Sequence, residues 1–279
     1  MNIFWVLFFV ANILGFSQSI EVGDKRLVFS HVLGIRQEYE LGKYLRKRYK
    51  TLLPVNVSPN KIIYVQSTDN DRTLMSAASL LAGMFPPSKH ELWNENINWQ
   101  PIPIHTIPSK MDYVLAGDKN LTKMFSIPEW ASNIYDQLTE LVEIEEKRLI
   151  GTREMSRLKS GFLLREIVHR LNSKIEGTLQ PNRTLWLFSG HDRTITNFLN
   201  LLDIPASKLP PYAACIFLEL YQRNQQYFVQ IFYKTNNDEI LPPLDIPGCG
   251  ILCPVEKFYE IYKEFIPTDF ETECKIKVT

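Results

Sequence analysis

The sequence carries no excess of charge of either sign: 31 lysines and arginines stand against 31 aspartates and glutamates in 279 residues. That balance excludes a global field drawing the chain to nucleic acid or to an anionic membrane surface, and leaves small-molecule or protein ligands as partners. After the amino terminus no second apolar run approaches the length that crosses a bilayer. Internal repeats and low-complexity tracts are absent. His90, His105 and His169 lack metal-ligand spacing with Cys or Asp neighbours, so no metal and no cofactor are expected. Cysteine is scarce: Cys215, Cys249, Cys253 and Cys274 are the four in the chain.

What is present is enough apolar material for a sizeable core, at 45% hydrophobic and 12% aromatic residues. The expectation is a single large domain rather than disorder. The run MNIFWVLFFVANILGFSQS reads as a signal peptide over residues 1–19, cleaved after Ser19, with residues 20–279 forming the mature domain. Three N-x-S/T sequons, at Asn56, Asn120 and Asn182, fit an extracellular route, the first being a poorer acceptor because Pro59 follows Ser58. In such an oxidising compartment four cysteines allow three pairings. The turn-rich PGCGILCP makes Cys249 to Cys253 the easiest of them.

Along the chain, β-rich RLVFSHV (Arg26 to Val32) predicts a strand, and Gly34 to Tyr49 has helical apolar spacing at Ile35, Leu41, Leu45 and Tyr49. The basic cluster Arg46, Lys47, Arg48 and Lys50 reads as the solvated end of that helix. KIIYVQ (Lys61 to Gln66) is a second strand, leading through STDND to a helix from about Arg72 to Met84 that stops at Pro86 and Pro87. WQPIPIHTIP is extended, and helical patterns follow from about Ile134 to Ile150 and from Ser156 to Lys174. TLWLFSG (Thr184 to Gly190) is a further strand, and CIFLELY with YFVQIFYK forms a late hairpin. Strands alternating with helices imply an α/β fold with a parallel-rich sheet flanked by helices. Ligands of such sheets bind beyond the carboxyl ends of the strands, which singles out the residues after Val32, Gln66 and Gly190.

The segments YVQSTDNDRTLMSAASLLAGMFPP, WQPIPIHTIP, SGHDRTITNFLNLLDI, LPPYAACIFLELY and PGCGILCP, in unbroken order, resemble the histidine acid phosphatases of the prostatic, lysosomal and insect venom kind. The resemblance spans about Arg26 to Cys274. It implies a histidine phosphatase-like α/β domain with a helical cap, here reduced, at about residues 109–175. It also implies a secreted or lysosomal hydrolase of phosphate monoesters and a homodimer, while the lack of a second apolar run leaves no membrane attachment expected once the signal is cleaved. In that family a histidine in R-H-G-x-R-x-P, just after the first strand, attacks phosphorus and becomes phosphorylated. The later His-Asp pair matches His191, which would help hold phosphate, and Asp192, which would protonate the leaving oxygen.

Set against this, the chain runs SHVLGIRQEYELG where R-H-G-x-R-x-P should stand, so the nucleophile segment is absent. His31 lies upstream of the family position without the motif's arginines and reads as a structural histidine. Only Leu33 would separate the expected strand from the helix, fewer than the two to six residues that strand-to-helix loops usually take. The phosphate-binding arginine that the family places before S-T-D is Gln66, which hydrogen-bonds without bringing charge. Arg72 and Arg193 leave some positive charge near the site, with ion pairing in the structure an equal reading for Arg72. Cys215 and Cys274 match family cysteines whose partners fall in a shortened block, so free or mispaired thiols are expected. The reading is a secreted acid phosphatase-family protein inactive or severely impaired in this chain. The alternatives are a non-catalytic secreted binding protein, or the truncated product of an active gene.

Overall fold

A computed structural model describes residues 2–4, 25–54, 57–109, 111–115, 152–205, 210–235 and 241–268. Of the expected signal peptide, therefore, only Asn2–Phe4 is described. The predicted helix at 134–150 and most of the expected cap fall outside the described residues, as do Asn56, Asn120 and Cys274.

The elements run β1 (Asn2–Phe4), α1 (Lys25–Arg48), α2 (Pro59–Ile62), β2 (Ile63–Thr68), α3 (Asp71–Met84) and β3 (His105–Ile107). There follow α4 (Arg153–Ile175), β4 (Leu185–Ser189), α5 (Asp192–Leu201), β5 (Cys215–Arg223), β6 (Gln226–Lys234), β7 (Cys253–Pro254) and α6 (Val255–Tyr262). Strands β3, β2 and β4 form a parallel sheet in that order. A second, antiparallel sheet has the order β1-β5-β6-β7. The β5–β6 hairpin turns through Asn224 and Gln225 at φ of 50° and 63°. Two consecutive left-handed residues are what a two-residue turn needs to match the twist of the strands.

The clear departure from expectation is at the start. Arg26–Val32 is not a strand: α1 runs without a break from Lys25 to Arg48 and carries His31 on it. The reason is the junction. A strand ending at Val32 has one residue in which to reverse onto a helix starting at Gly34, too few for the turn, so the β-favouring residues are drawn into the helix. The other predicted elements within the described residues lie close to where their patterns place them, β2 beginning two residues later because Pro59–Ile62 makes a helical turn first, while α5 and α6 carry no sequence expectation.

The two sheets lie in one layer. Alternate residues Leu185 and Leu187 of β4 and Cys215 and Phe217 of β5 join the core formed with Leu41, Leu45 and Tyr49 of α1 and Leu80 and Met84 of α3. Their neighbours Trp186 and Phe188, and Ile216, Leu218 and Leu220, face a second core with Leu163, Ile167 and Leu171 of α4 and Phe198 of α5. Strands that send alternate side chains to the same two cores are coplanar. Yet among the described residues no ladder joins β4 to β5. The layer is thus interrupted between the parallel and antiparallel sheets, and the strand expected first in the chain is in neither.

The basic end of α1 also differs from expectation. Arg48 inserts between the Phe217 and Phe232 rings and pairs with the fully buried Glu219, while Arg46 Nη1 donates to the Met84 carbonyl at 2.9 Å. Cys249 and Cys253 form a disulfide with Cα atoms 5.3 Å apart, and Cys215 is a buried free thiol. Among the described residues no helix is long and apolar enough to cross a membrane.

Candidate active site

Two parallel neighbours, β2 and β4, end at the same level, with Ser67 opposite Ser189. Each then feeds a helix whose first turn points back at the sheet edge. After β2, Asn70 caps α3 by accepting from the Arg72 amide at 3.2 Å. After β4, the His191 amide donates to Thr194 Oγ1 at 3.1 Å, which fixes the start of α5. The Ser189 hydroxyl donates to the Thr73 carbonyl at 2.8 Å and ties the two strand ends together. Thr194 Oγ1 in turn donates to the Leu115 carbonyl, bringing the start of the cap segment to the same edge.

His191, Arg72 and Thr68 meet in this corner. Arg72 Nη2 lies 3.1 Å from His191 Nδ1, and Thr68 Oγ1 lies 3.3 Å from His191 Nε2. The donors can be assigned in sequence. Thr73 Oγ1 directs its proton to the carbonyls of Asn70 and Thr68, so it accepts from Thr68 Oγ1 at 2.8 Å. Thr68 Oγ1 then accepts from His191 Nε2, and His191 Nδ1 accepts from Arg72, which has only protons to give. Every hydrogen bond is satisfied by a neutral imidazole carrying its proton on Nε2. Burial, reinforced by the charge of Arg72, lowers the His191 pKa from 6.5 to about 4, against the opposing pull of Asp192.

Asp192 opens α5, where a carboxylate complements the positive end of the helix dipole, and its Oδ1 accepts from the Arg193 amide at 2.8 Å. Gln66 sits near the carboxyl end of β2, paired with His105 on β3 and Phe188 on β4. Its side chain is buried, and among the described residues its Nε2 has no hydrogen-bond partner. His105 itself stacks on Tyr64 with ring centroids 4.8 Å apart.

The structure therefore brings His191, Asp192, Arg193, Gln66 and Arg72 to one sheet edge. Sequence reading missed Thr68 and Thr73, which set the imidazole tautomer; the T of S-T-D and its five-residue spacing to Thr73 were the available signal. Chemically, the corner can hold an anion and move a proton. It offers one guanidinium on the imidazole, a neutral amide donor at Gln66 and a carboxyl group at Asp192. His191 Nδ1 is engaged by Arg72 and so presents no free electron pair of its own.

The chain matches the model of the family described as "Histidine phosphatase superfamily (branch 2)" over residues 19–160 and 135–234. It is 33% identical over 310 aligned positions to the prostatic acid phosphatase of Bos taurus, covering 88% of this chain and 78% of that protein. Against the prostatic acid phosphatase of Homo sapiens identity is 32%, with 87% and 78% covered, and against the lysosomal acid phosphatase of Homo sapiens 30%, with 87% and 71% covered. The first alignment is longer than the chain's own 279 residues, so that relative carries internal stretches lacking here. In fold the chain is similar to the apo form of a Hafnia alvei phytase, with a TM-score of 0.61, 14% identity and 97% of each chain covered.

Proposed function

The chain belongs to branch 2 of the histidine phosphatase superfamily, and from that premise we propose that it is a secreted acid phosphatase-family protein without appreciable turnover. It holds phosphate monoesters at the corner formed by His191, Arg72 and Gln66. One observation carries this reading. The segment where R-H-G-x-R-x-P would follow a strand is instead the interior of α1, reading SHVLGIRQ, with no such motif anywhere in the chain.

Phosphoryl transfer through a phosphohistidine needs a nucleophile in line with the leaving oxygen and a cationic cradle for the oxygens of the transferring group. In the proposed roles Asp192 would still supply the proton for the leaving oxygen, and the His191 Nε2–H would turn from Thr68 to a phosphate oxygen. Gln66 would add a second neutral donor, its Nε2 having no partner among the described residues. Without the attacking histidine no bond to phosphorus forms. The loss of a covalent nucleophile lowers turnover by roughly 10⁴ to 10⁶. The secretory route is supported by the apolar amino-terminal run and by relatives named as prostatic and lysosomal acid phosphatases.

The test is release of a chromogenic phenol from an aryl phosphate at acid pH, paired with trapping of acid-labile protein phosphate. Background turnover with no trapped phosphate is expected, and robust turnover through a phosphohistidine would overturn the proposal. A second reading, a shortened product of a gene that also encodes an active enzyme, is favoured by the one-residue junction at Leu33 and by the aligned length exceeding that of the chain. Sequencing the genomic interval encoding Val32 to Gly34 separates the two. An intact R-H-G-x-R-x-P exon there establishes the shortened product, and its absence, with Gln66 as an independent point change, establishes divergence.

A further inference from the structure

Asn182 lies in the sequon Asn182-Arg183-Thr184 on the connection between α4, which ends at Ile175, and β4, which starts at Leu185. We propose that Asn182 is a site of N-linked glycosylation, an inference that rests on the secretory route argued above.

A sequon is a weak signal by itself, because chance supplies such triplets and many fall where a folded chain has no room for a sugar. Three features of this one meet the requirement. First, Asn182 is exposed, whereas the five residues of β4 that follow the sequon are buried throughout. Second, the reactive atom is not used by the hydrogen bond that the side chain makes. Lys174 Nζ donates to Asn182 Oδ1, and an ammonium group can only donate, so Nδ2 takes no part in that bond. Third, the flanking residues are anchored independently of Asn182. The Thr184 amide donates to the Ile62 carbonyl at 2.9 Å, Arg183 Nε donates to the Asn60 carbonyl at 3.1 Å, and the Arg183 guanidinium covers the Tyr64 ring. A sugar on Asn182 displaces none of these.

The position also keeps the glycan away from the active-site corner. Asn182 precedes the amino end of β4 and His191 follows its carboxyl end. The strand between them has five residues, about 17 Å at the usual rise. The modification is therefore compatible with ligand binding at His191.

The chemistry is transfer of an oligosaccharide from a polyisoprenoid pyrophosphate carrier of the secretory route. Asn182 Nδ2 loses a proton and bonds to the anomeric carbon of the first sugar, whose bond to the carrier's pyrophosphate oxygen breaks. The hydroxyl of Thr184 is the second recognition element of the sequon.

The experiment is expression of the full chain in insect cells, with release of N-glycans by an amidase in ¹⁸O water and mass spectrometry of the peptide holding Asn182. Conversion of Asn182 to ¹⁸O-labelled aspartate is expected. One discrete mobility step should be lost in both Asn182→Gln and Thr184→Ala and kept in Thr184→Ser. An unmodified Asn182 peptide in a chain bearing sugar at Asn56 or Asn120 overturns the site and leaves the secretory reading intact. A chain with no sugar at any sequon and its amino-terminal run still attached overturns both.

Discussion

Arg72 Nη2 donates to His191 Nδ1 at 3.1 Å, joining the first turn of α3 to the residue that precedes α5 across 119 positions of sequence. The guanidinium holds the imidazole in its neutral, Nε2-protonated form and contributes, after burial, to lowering its pKa to about 4. A base whose folded pKa lies below its unfolded value binds fewer protons when folded. Its contribution to stability is complete above 6.5 and is lost as pH falls from 6.5 through about 4. Titration of the His191 ring protons by NMR should therefore give a midpoint near 4. In Arg72→Leu that midpoint should move up towards 6.5, and an unmoved midpoint would show that the ion–imidazole contact is not made in solution.

Much of this corner was legible in the chain, and the reasons for the exceptions are physical. His191 and Asp192 follow an apolar strand, so their place at the sheet edge is local information. The pairing of Arg72 with His191 is not, because two helix starts of different βα units meet only in three dimensions. Arg26–Val32 misled because β-branched and aromatic residues fit a strand only where a sheet accepts them. The decisive signal there was the single residue Leu33 between strand and helix patterns. Glu38 was overlooked although its position was informative: it continues the stripe of Leu41, Leu45 and Tyr49 at helical spacing, on the face that α1 buries.

Glu38 is fully buried, with both carboxylate oxygens lacking a hydrogen-bond partner among the described residues. Burial pushes its pKa well above the usual carboxylate range. Burial also pushes up the Cys215 thiol, with Glu38 adding to that rise and Lys234 opposing it. For an acid with a raised folded pKa, the folded state keeps a proton that the unfolded chain gives up. This contribution to stability is complete below the ordinary glutamate value of 4.5 and declines as pH rises above it. Glu38→Leu should raise stability at neutral pH by roughly 1–3 kcal/mol, the penalty of an unsatisfied buried polar group. It should also flatten the pH dependence of denaturant midpoints between acid and neutral solution. A variant less stable than wild type at neutral pH would show that the carboxyl group has a partner.

The packing of α1 on α3 depends on two glycines. A Cβ at Gly42 would fall 2.0 Å from the Leu80 carbonyl oxygen, and one at Gly83 would fall 2.1 Å from that of Tyr39. Both obstacles are helix backbone, which cannot step aside as a side chain can. In an open helix Gly→Ala gains about 1 kcal/mol in propensity. Overpacking of a tight contact costs roughly 1–3 kcal/mol, so the steric term should win. Gly42→Ala and Gly83→Ala should each lower the thermal midpoint, and a rise in either would mean that the helices stand farther apart than described.

Glu219 of β5 is a buried carboxylate whose Oε1 accepts from Tyr49 Oη at 2.6 Å and from Arg48 Nε at 3.0 Å, with Arg48 Nη2 at 2.9 Å. Its Oε2 accepts from Tyr221 Oη. Burial alone raises its pKa, and Arg48 with the two tyrosine hydroxyls opposes that rise. The network pins the last turn of α1 to the antiparallel sheet. Removing one partner leaves the other buried and unmatched, at a cost of roughly 3–5 kcal/mol, whereas replacing a buried pair with apolar residues is often neutral or better. Arg48→Met and Glu219→Leu should each destabilise by about that amount. The double variant should be far more stable than the sum of the two predicts. Urea denaturation of the four proteins supplies the cycle, and strictly additive losses would show that the two charges do not interact.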